Sequence, residues 1–250
     1  DAKDPIIQAY QKAFPKLFLA KAKAPKSLQA HFRYPEDLFT VQTQMWAKYH
    51  VSNPDTFYNG NDAWTVPPEP GVSEVGKNVS TVKPVGADGQ QLTGDDRYEP
   101  QYVLLRLPGD TEESFVIMRP FVANDAGGDN NQKLLTSFMV ASSDPDDYGK
   151  LQTFVMPGSN LPDGPNLVAD QMKSDTAVSS LQTLLCQQGS KCELRNLVMT
   201  PIGDSLLYVR SLFVSGDESS VPKLRRVIVS FQSSSGSNIA VDETLAGALV

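Results

Sequence analysis

The chain has 250 residues, 40% of them apolar, which is enough for one large domain or two small ones with a sizeable core. Its 29 acidic and 22 basic residues give a net charge of −7, which works against binding a polyanion, so nucleic acid is not an expected partner. Arg210 interrupts the most apolar stretch, SLLYVRSLFV, and no stretch approaches the roughly 20 consecutive apolar residues of a membrane-spanning helix.

Residues 1–65 carry helical patterns. Pro5 follows Asp4, which is a typical residue before a helix, and apolar residues recur at helical spacing as far as Phe14. Pro15 then interrupts the pattern. The sequence therefore predicts a helical N-terminal segment that opens with a short helix.

Residues 31–50, HFRYPEDLFTVQTQMWAKYH, contain the only two histidines of the chain, together with adjacent acids and aromatic residues. They raise the question of whether this stretch does chemistry or builds the fold. Pro35 is typical of a helix start, and the two acids after it lie where the helix dipole favours negative charge. We therefore predict a helix whose broad apolar face packs on the core, formed by Leu38, Phe39, Val41, Met45, Trp46 and Tyr49.

This helix sets expectations for single residues. His31 and His50 should lie near opposite ends of a rod of about 22 Å, too far apart to share a metal or form a catalytic pair. Replacing Trp46 with alanine should cost about 3 to 5 kcal/mol as a core truncation. The alternative is a ligand site at the tip of the helix that involves Arg33 or Asp62.

The stretch NPDTFYNGNDAW follows this helix and combines aromatic rings with amides and a carboxylate. Such a combination suits sugar or peptide binding, because rings offer apolar area while polar groups orient the ligand. The candidate ligand-binding residues are Arg33, Tyr58, Asn61, Asp62 and Trp64. The alternative, which we favour, is a turn-rich corner whose aromatic residues pack on the preceding helix.

Residues 66–100 are rich in proline, glycine and polar residues without a sustained period, which predicts a long loop and a candidate domain boundary. Strand patterns dominate from residue 101 onwards. QYVLLRL and ESFVIMRPF predict a hairpin, and KLLTSFMVASS and KLQTFVMP predict two further strands. Near the C-terminus, NLVMTPI, SLLYVRSLFV and PKLRRVIVSF predict a meander, and VDETLAGALV predicts a short closing helix.

Both cysteines lie in LLCQQGSKCELRN. The residues before Cys186 predict a helix that starts after Ser174 or Asp175 and ends at Gly189, and KCELRNLVMTPI predicts a strand. Zinc is not expected, because CxxC spacing is absent and histidines are few. A disulfide between Cys186 and Cys192 would stabilise the fold by about 2 kcal/mol, and two reduced buried thiols are the alternative.

These elements predict an α+β fold in which helices flank a mostly antiparallel or mixed β-sheet. We expect one domain over residues 1–250, with a helical segment at 1–65, the long loop at 66–100, and a sheet with helices at 101–250. The chain begins at Asp1 without a methionine or a signal-peptide pattern, so we expect that sequence upstream is missing.

No catalytic signature is present in the sequence. Neither histidine lies in a G-x-S-x-G context, and no glycine-rich phosphate-binding motif occurs. Neighbouring acids such as Glu36 and Asp37 are expected on the surface, and the loops NDAGGDNN and SDPDDYG lack the ligand spacing of a calcium-binding EF-hand. We predict no metal and no other cofactor.

Four stretches resemble, in the same order, segments of the uncharacterised bacterial family UPF0182: RYPEDLFTVQTQMWAKYHVSNPDTFYNGNDAWTVP, VIMRPFVAND, SSDPDDYGKL and GDSLLYVRSLFV. The resemblance implies a largely actinobacterial membrane protein with several N-terminal transmembrane helices and a large domain outside the membrane. This chain is similar to the C-terminal part of that outer domain, where an oxidising compartment favours the disulfide. The family brings no known activity, substrate or catalytic residue.

Two functional hypotheses follow. The first is an extracytoplasmic binding or assembly domain of a polytopic membrane protein, held at the membrane by a missing N-terminal region and contacting envelope protein, lipid or glycan. The second is a carboxylate-dependent envelope enzyme that acts on glycan or lipid. Because histidine and cysteine are scarce and no catalytic signature occurs, the first hypothesis is preferred.

Overall fold

The structure is a computed structural model that describes residues 4–60, 62–70, 73–75, 97–124, 134–157, 161–187, 189–203, 205–216, 221–233 and 236–250. Within these ranges the helices are α1 (Pro5–Ala13), α2 (Lys26–Gln29), α3 (Glu36–Tyr49), α4 (Pro54–Asn59), α5 (Pro165–Ser174), α6 (Thr176–Leu185) and α7 (Leu245–Ala248). A single 3₁₀ turn covers Lys21–Lys23. Asp4 caps α1 by accepting hydrogen bonds from two backbone N–H groups, as its position before Pro5 predicts.

The strands form two sheets rather than the single sheet that the sequence predicted. The first contains β1 (Trp64–Thr65), β3 (Gln101–Arg106), β4 (Glu113–Ala123), β5 (Leu135–Ser142) and β6 (Leu151–Val155). The second contains β2 (Ser73–Val75), β7 (Ser190–Leu194), β8 (Val198–Ile202), β9 (Ser205–Gly216), β10 (Lys223–Ser233) and β11 (Gly236–Asp242). Every strand pair among the described residues is antiparallel, so the α+β class and the mostly antiparallel pairing are confirmed.

The main core is shared by both sheets and by α5 and α6. Alternation along β4 sends Val116 and Met118 into this core, and alternation along β9 sends Leu206 and Tyr208 into it. On the other side of the first sheet, Ile117 and residues of α3 form a second cluster. α7 covers part of the outer face of the second sheet, where Ala248 packs among strand residues. The two sheets therefore lie between α3 on one side and α7 on the other.

Several predicted elements are confirmed. β3 and β4 form the predicted hairpin, and β8, β9 and β10 form the predicted meander. The cysteine-bearing helix starts after Asp175, whose carboxylate caps α6. Cys186 and Cys192 are joined by a disulfide with an S–S distance of 2.12 Å, so the reduced alternative is not what the structure shows.

The strand predicted from KCELRNLVMTPI is wrong, because the stretch forms two strands, β7 and β8, that pair with different halves of β9. Residues 195–197 lie between β7 and β8, where the N–H of Arg195 still donates to the carbonyl of Ser211 on β9 (2.9 Å). Two carbonyl groups of this stretch accept from side chains: Arg210 donates to the oxygen of Arg195 (2.8 Å), and Tyr98 donates to the oxygen of Leu197 (2.6 Å). The closing helix is shorter than predicted, since β11 extends to Asp242.

The predicted long loop of residues 66–100 is not structureless where it is described. Val66 and Tyr98 are buried, and the N–H of Tyr98 donates to the carbonyl of Pro67 (2.8 Å). Ser73–Val75 pairs with β7 as a strand of the second sheet. The part of the predicted loop at residues 76–96 lies outside the described ranges.

Candidate functional site

α3 packs on the first sheet through a narrow stripe that includes a polar residue. Its buried residues are Phe39, Thr43 and Ala47, which lie one turn apart. The hydroxyl of Thr43 accepts a hydrogen bond of 3.1 Å from the guanidinium of Arg119 on β4. Because the sheet presents a charged side chain to the helix, the stripe that meets it needs a hydroxyl as well as apolar groups.

The apolar face predicted for α3 is wrong in all but one residue. Phe39 is fully buried, whereas the other five predicted core residues are 41–58% exposed: Leu38, Val41, Met45, Trp46 and Tyr49. Four of these, Leu38, Val41, Met45 and Tyr49, recur at helical spacing on the side away from the sheet, and we call them the outer stripe. Trp46 is therefore not a core residue, and its replacement is not a core truncation.

Three of the predicted ligand-binding residues lie in one corner after α3. Trp64 stacks on His50 with ring centroids 3.6 Å apart and on Phe121 of β4 at 5.7 Å, so much of its ring is used in packing. Tyr58 is 86% exposed, and Asp62 has a left-handed backbone (φ 57°). Asn61 lies outside the described residues.

Arg33 lies elsewhere, before the first turn of α3. Its guanidinium lies 5.4 Å from the ring centroid of Tyr102 and 6.0 Å from that of Phe115. The 14 residues of α3, roughly 21 Å of helix, separate it from the corner that contains Trp64. The described candidate residues thus occupy two places, and ligand binding by either remains a prediction.

The histidines flank α3. His31 precedes the helix, and His50 caps its end, where Nδ1 lies 3.1 Å from the carbonyl oxygens of Trp46 and Ala47. Pro35 is the residue before the first helical residue rather than the first itself. In the described part of the chain, no three His, Cys, Asp or Glu side chains are grouped as a metal site would need.

The sequence did not predict the most deeply buried charged residues. Arg119 on β4 and Arg210 on β9 are 2% and 0% exposed. Arg119 donates from Nε to the carbonyl of Tyr98 (2.6 Å). Burial lowers the pKa of each arginine to about 10, while the negative charge of Glu69 opposes that lowering in both. Both guanidinium groups therefore remain charged at neutral pH.

Glu69 is the carboxylate whose negative charge acts on both arginines. It is 9% exposed, and its Oε2 accepts a hydrogen bond of 2.9 Å from the N–H of Glu99. It lies within the stretch that the sequence predicted to be a loop. A signal was nevertheless present, because an arginine interrupts each of the apolar strands VIMRPFV and LLYVRSLFV, and a buried arginine requires partners.

A small polar pocket of about 190 Å³ lies beside Glu69. Asp170 and Lys173 of α5 line it, and the Lys173 ammonium lies 3.7 Å from the Asp170 carboxylate. Burial, followed by the charge of Arg210, lowers the pKa of Lys173. The pocket is smaller than the roughly 300 Å³ at which small-molecule sites begin. The small volume and the Lys173–Asp170 pair favour a structural role for these charges.

A larger cleft of about 910 Å³ lies between β6 and the turns at one end of the second sheet. Phe154 and Leu206 belong to its apolar wall, and Asp163 belongs to its polar part. The polar groups are engaged with one another: Asp163 N–H donates to Gln232 (2.8 Å), and Gln171 donates to the Asp163 carboxylate (2.8 Å). Its rim adjoins stretches of chain outside the described ranges, so we assign no ligand to it.

Comparison with known proteins supports the resemblance. The pattern of an uncharacterised protein family, UPF0182, matches residues 1–185. UPF0182 proteins from Trichodesmium erythraeum and Desulforamulus reducens are 34% and 35% identical to this chain over 249 residues. One from Saccharopolyspora erythraea is 36% identical over 251 residues. Each alignment covers 100% of this chain and 24% of the relative, so the chain spans about a quarter of the length of these relatives.

The relatives come from many phyla, so the actinobacterial predominance expected from the resemblance is not supported. No solved structure matches the chain. Among the described residues, no helix has both the length and the apolar character needed to cross a bilayer.

Proposed function

The chain belongs to the uncharacterised protein family UPF0182, and we propose that it is a binding or assembly domain of a longer membrane protein. In this proposal the domain lies outside the cytoplasm and is held at the cell membrane by segments beyond this chain. The outer stripe of α3 packs against the remainder of the same polypeptide. The observation that carries the proposal is the exposure of that stripe.

A helix that is apolar on two sides is typical of a helix covered on two sides. α3 buries one side on the first sheet and exposes the other, where Val41 and Met45 are 52% and 57% exposed. A contiguous exposed apolar patch is typical of an interaction surface. Since about three quarters of each relative lies outside the aligned region, the longer polypeptide itself supplies a covering surface.

The disulfide supports the proposed compartment. Cys192 is buried and bonded to Cys186, so the bridge is part of the folded domain. Structural disulfides form and persist mainly in oxidising compartments outside the cytoplasm. An envelope location is therefore consistent with the chemistry of this chain.

The enzymatic alternative is less well supported. Its best pair of carboxylates is Glu69 and Asp170, which line the small pocket. A glycosidase needs two carboxyl groups in acid and base roles, but Oε2 of Glu69 accepts from the N–H of Glu99 and Asp170 pairs with Lys173 at 3.7 Å. Both carboxylates are therefore engaged in contacts within the fold.

The proposal is tested by placing a charge in the outer stripe of the full-length protein. Met45→Lys should lower the thermal stability of the full-length protein in detergent, because it places an ammonium in the covered interface. The same substitution should leave the unfolding of the 250-residue chain nearly unchanged, since Met45 is exposed there.

Leu184→Lys is the matched control, because Leu184 is also helical and is 66% exposed. It should leave both proteins unchanged. If Met45→Lys and Leu184→Lys have equal effects on the full-length protein, the outer stripe is not a covered interface and the proposal is wrong.

A further inference from the structure

Residues 4–33 form a segment in which no side chain is buried. Seven large apolar residues in this segment are 37–79% exposed: Ile6, Tyr10, Phe14, Leu17, Phe18, Leu19 and Leu28. This contrasts with the sheets, whose apolar residues fill a common core. The segment therefore holds apolar area that the described fold does not cover.

The same segment is basic although the protein is acidic. Its six basic residues are Lys12, Lys16, Lys21, Lys23, Lys26 and Arg33. Asp4 is its single acid, so the segment has a net charge of +5 in a chain whose net charge is −7. The rest of the chain therefore carries −12. An asymmetry of this kind indicates attraction to an anionic partner.

The segment is amphipathic where it is helical. On α1, Ile6 and Tyr10 lie one turn apart on one side, whereas Lys12 lies on the opposite side. The ring of Tyr10 stacks near that of Phe14, with centroids 6.4 Å apart. Apolar and aromatic groups on one face with lysine on the other are the features of helices that lie in a membrane interface.

In the described structure, the acidic residues outside 4–33 do not form ion pairs with the basic residues of this segment. Among the described residues, Lys150, Lys173, Arg195 and Arg226 form ion pairs with acids, and no basic residue of 4–33 does so. The segment contacts the rest of the chain through the Lys21 ammonium, 3.7 Å from the ring centroid of Tyr148, and through Arg33, which lies 5.4 Å from the ring centroid of Tyr102. Its other lysines are therefore available to an external anionic surface.

We propose that residues 4–33 bind the surface of an anionic phospholipid bilayer, with the apolar side chains in the interface and the lysines among the headgroups. This inference rests on the proposed location of the domain at a membrane. Each basic residue near an anionic surface strengthens binding about fivefold, and buried apolar area strengthens it further. Two copies of residues 4–33 would repel each other, so self-association through this segment alone is not favoured.

The test is vesicle flotation of the 250-residue chain. Vesicles of phosphatidylglycerol and phosphatidylcholine should carry the protein upwards, whereas vesicles of phosphatidylcholine alone should carry much less. Raising the salt concentration should weaken binding, because it screens the lysines. Lys12→Glu/Lys16→Glu should reduce binding to the anionic vesicles at least about tenfold, since it reverses two charges near the surface.

Apolar and structural controls complete the experiment. Leu17→Ser/Leu19→Ser should also weaken flotation, whereas Leu104→Ser should not, although Leu104 is 63% exposed. Circular dichroism confirms that each variant is folded. Equal flotation with both vesicle types, or flotation that survives the charge reversal, would overturn the inference.

The two proposals fail separately. Absence of vesicle binding leaves the outer stripe of α3 as a covered interface in the full-length protein. Conversely, a harmless Met45→Lys substitution in the full-length protein leaves the vesicle result intact, because Met45 is outside residues 4–33.

Discussion

The helical region of residues 4–60 and the sheet region of residues 97–250 distribute their apolar and charged groups in opposite ways. The sheet region buries its apolar residues and also holds two arginines, Arg119 and Arg210, away from water. The helical region exposes apolar residues on α1 and on the outer stripe. The sheets thus complete their own core, while the helices present surfaces suited to contacts outside this chain.

The largest expected effect concerns the buried arginines of the sheet region, on which the charge of Glu69 acts. Glu69→Ala should lower the free energy of unfolding by about 3 to 5 kcal/mol, because it removes the carboxylate whose charge acts most strongly on both buried guanidinium groups and leaves the N–H of Glu99 without its acceptor. Urea unfolding measures the loss. Asp170→Ala is the comparison variant, because Asp170 also acts on Arg210 but its side chain is 60% exposed, and it should cost about 1 kcal/mol or less. If Glu69→Ala and Asp170→Ala cost the same free energy of unfolding, Glu69 is not the main carboxylate partner of the buried arginines.

The boundary between the two regions is tested at Phe39, which is fully buried where α3 meets the first sheet. Phe39→Ala should cost about 3 to 4 kcal/mol, because it leaves a cavity against the sheet. Denaturation by urea, followed by circular dichroism, gives the value. A loss below about 1 kcal/mol would show that α3 is held only loosely on the sheet.

The disulfide ties α6 to β7 within the sheet region. Reduction should lower the free energy of unfolding by about 2 kcal/mol, because it frees a short loop in the unfolded chain. Mass spectrometry before and after reduction and alkylation detects the bridge. Cys186→Ala/Cys192→Ala removes the only two cysteines, so its stability should not respond to reductant. Two free thiols in protein purified without reductant would contradict the bridge.

The smallest effect belongs to Trp46, the residue for which the sequence predicted a large one. It is 41% exposed, and its ring centroid lies 6.3 Å from that of His50. Trp46→Ala should cost about 1 kcal/mol or less in the 250-residue chain, since most of its packing there is local. If Trp46→Ala lowers the free energy of unfolding as much as Phe39→Ala does, Trp46 is a core residue, which contradicts the orientation of α3.

The sequence predicted features that depend on neighbouring residues. Pro35 and the acids after it marked the start of α3, and the short separation of Cys186 from Cys192 marked the disulfide. Asp175 was correctly proposed as one of two caps for α6. Each of these depends on a few consecutive residues, so local rules were sufficient.

The sequence did not predict features that depend on distant residues. Apolar spacing showed that α3 is hydrophobic, but not which side the sheet would cover, because Arg119 of β4 selects the side that carries Thr43. Glu69 appeared to be a loop acid, since its relation to Arg119 and Arg210 arises only when both sheets assemble. The candidate ligand-binding residues lie in two separate places for the same reason, because α3 separates Arg33 from Trp64.

The most direct test of the covered outer stripe is hydroxyl-radical footprinting of Met45 in the 250-residue chain and in the full-length protein. Met45 is 57% exposed in the chain, whereas Met172 is buried and Leu184 is exposed, so these two residues calibrate the reaction. We predict that Met45 oxidises rapidly in the chain and several-fold more slowly in the full-length protein, while Leu184 reacts equally in both. Equal oxidation of Met45 in the two proteins would contradict the account.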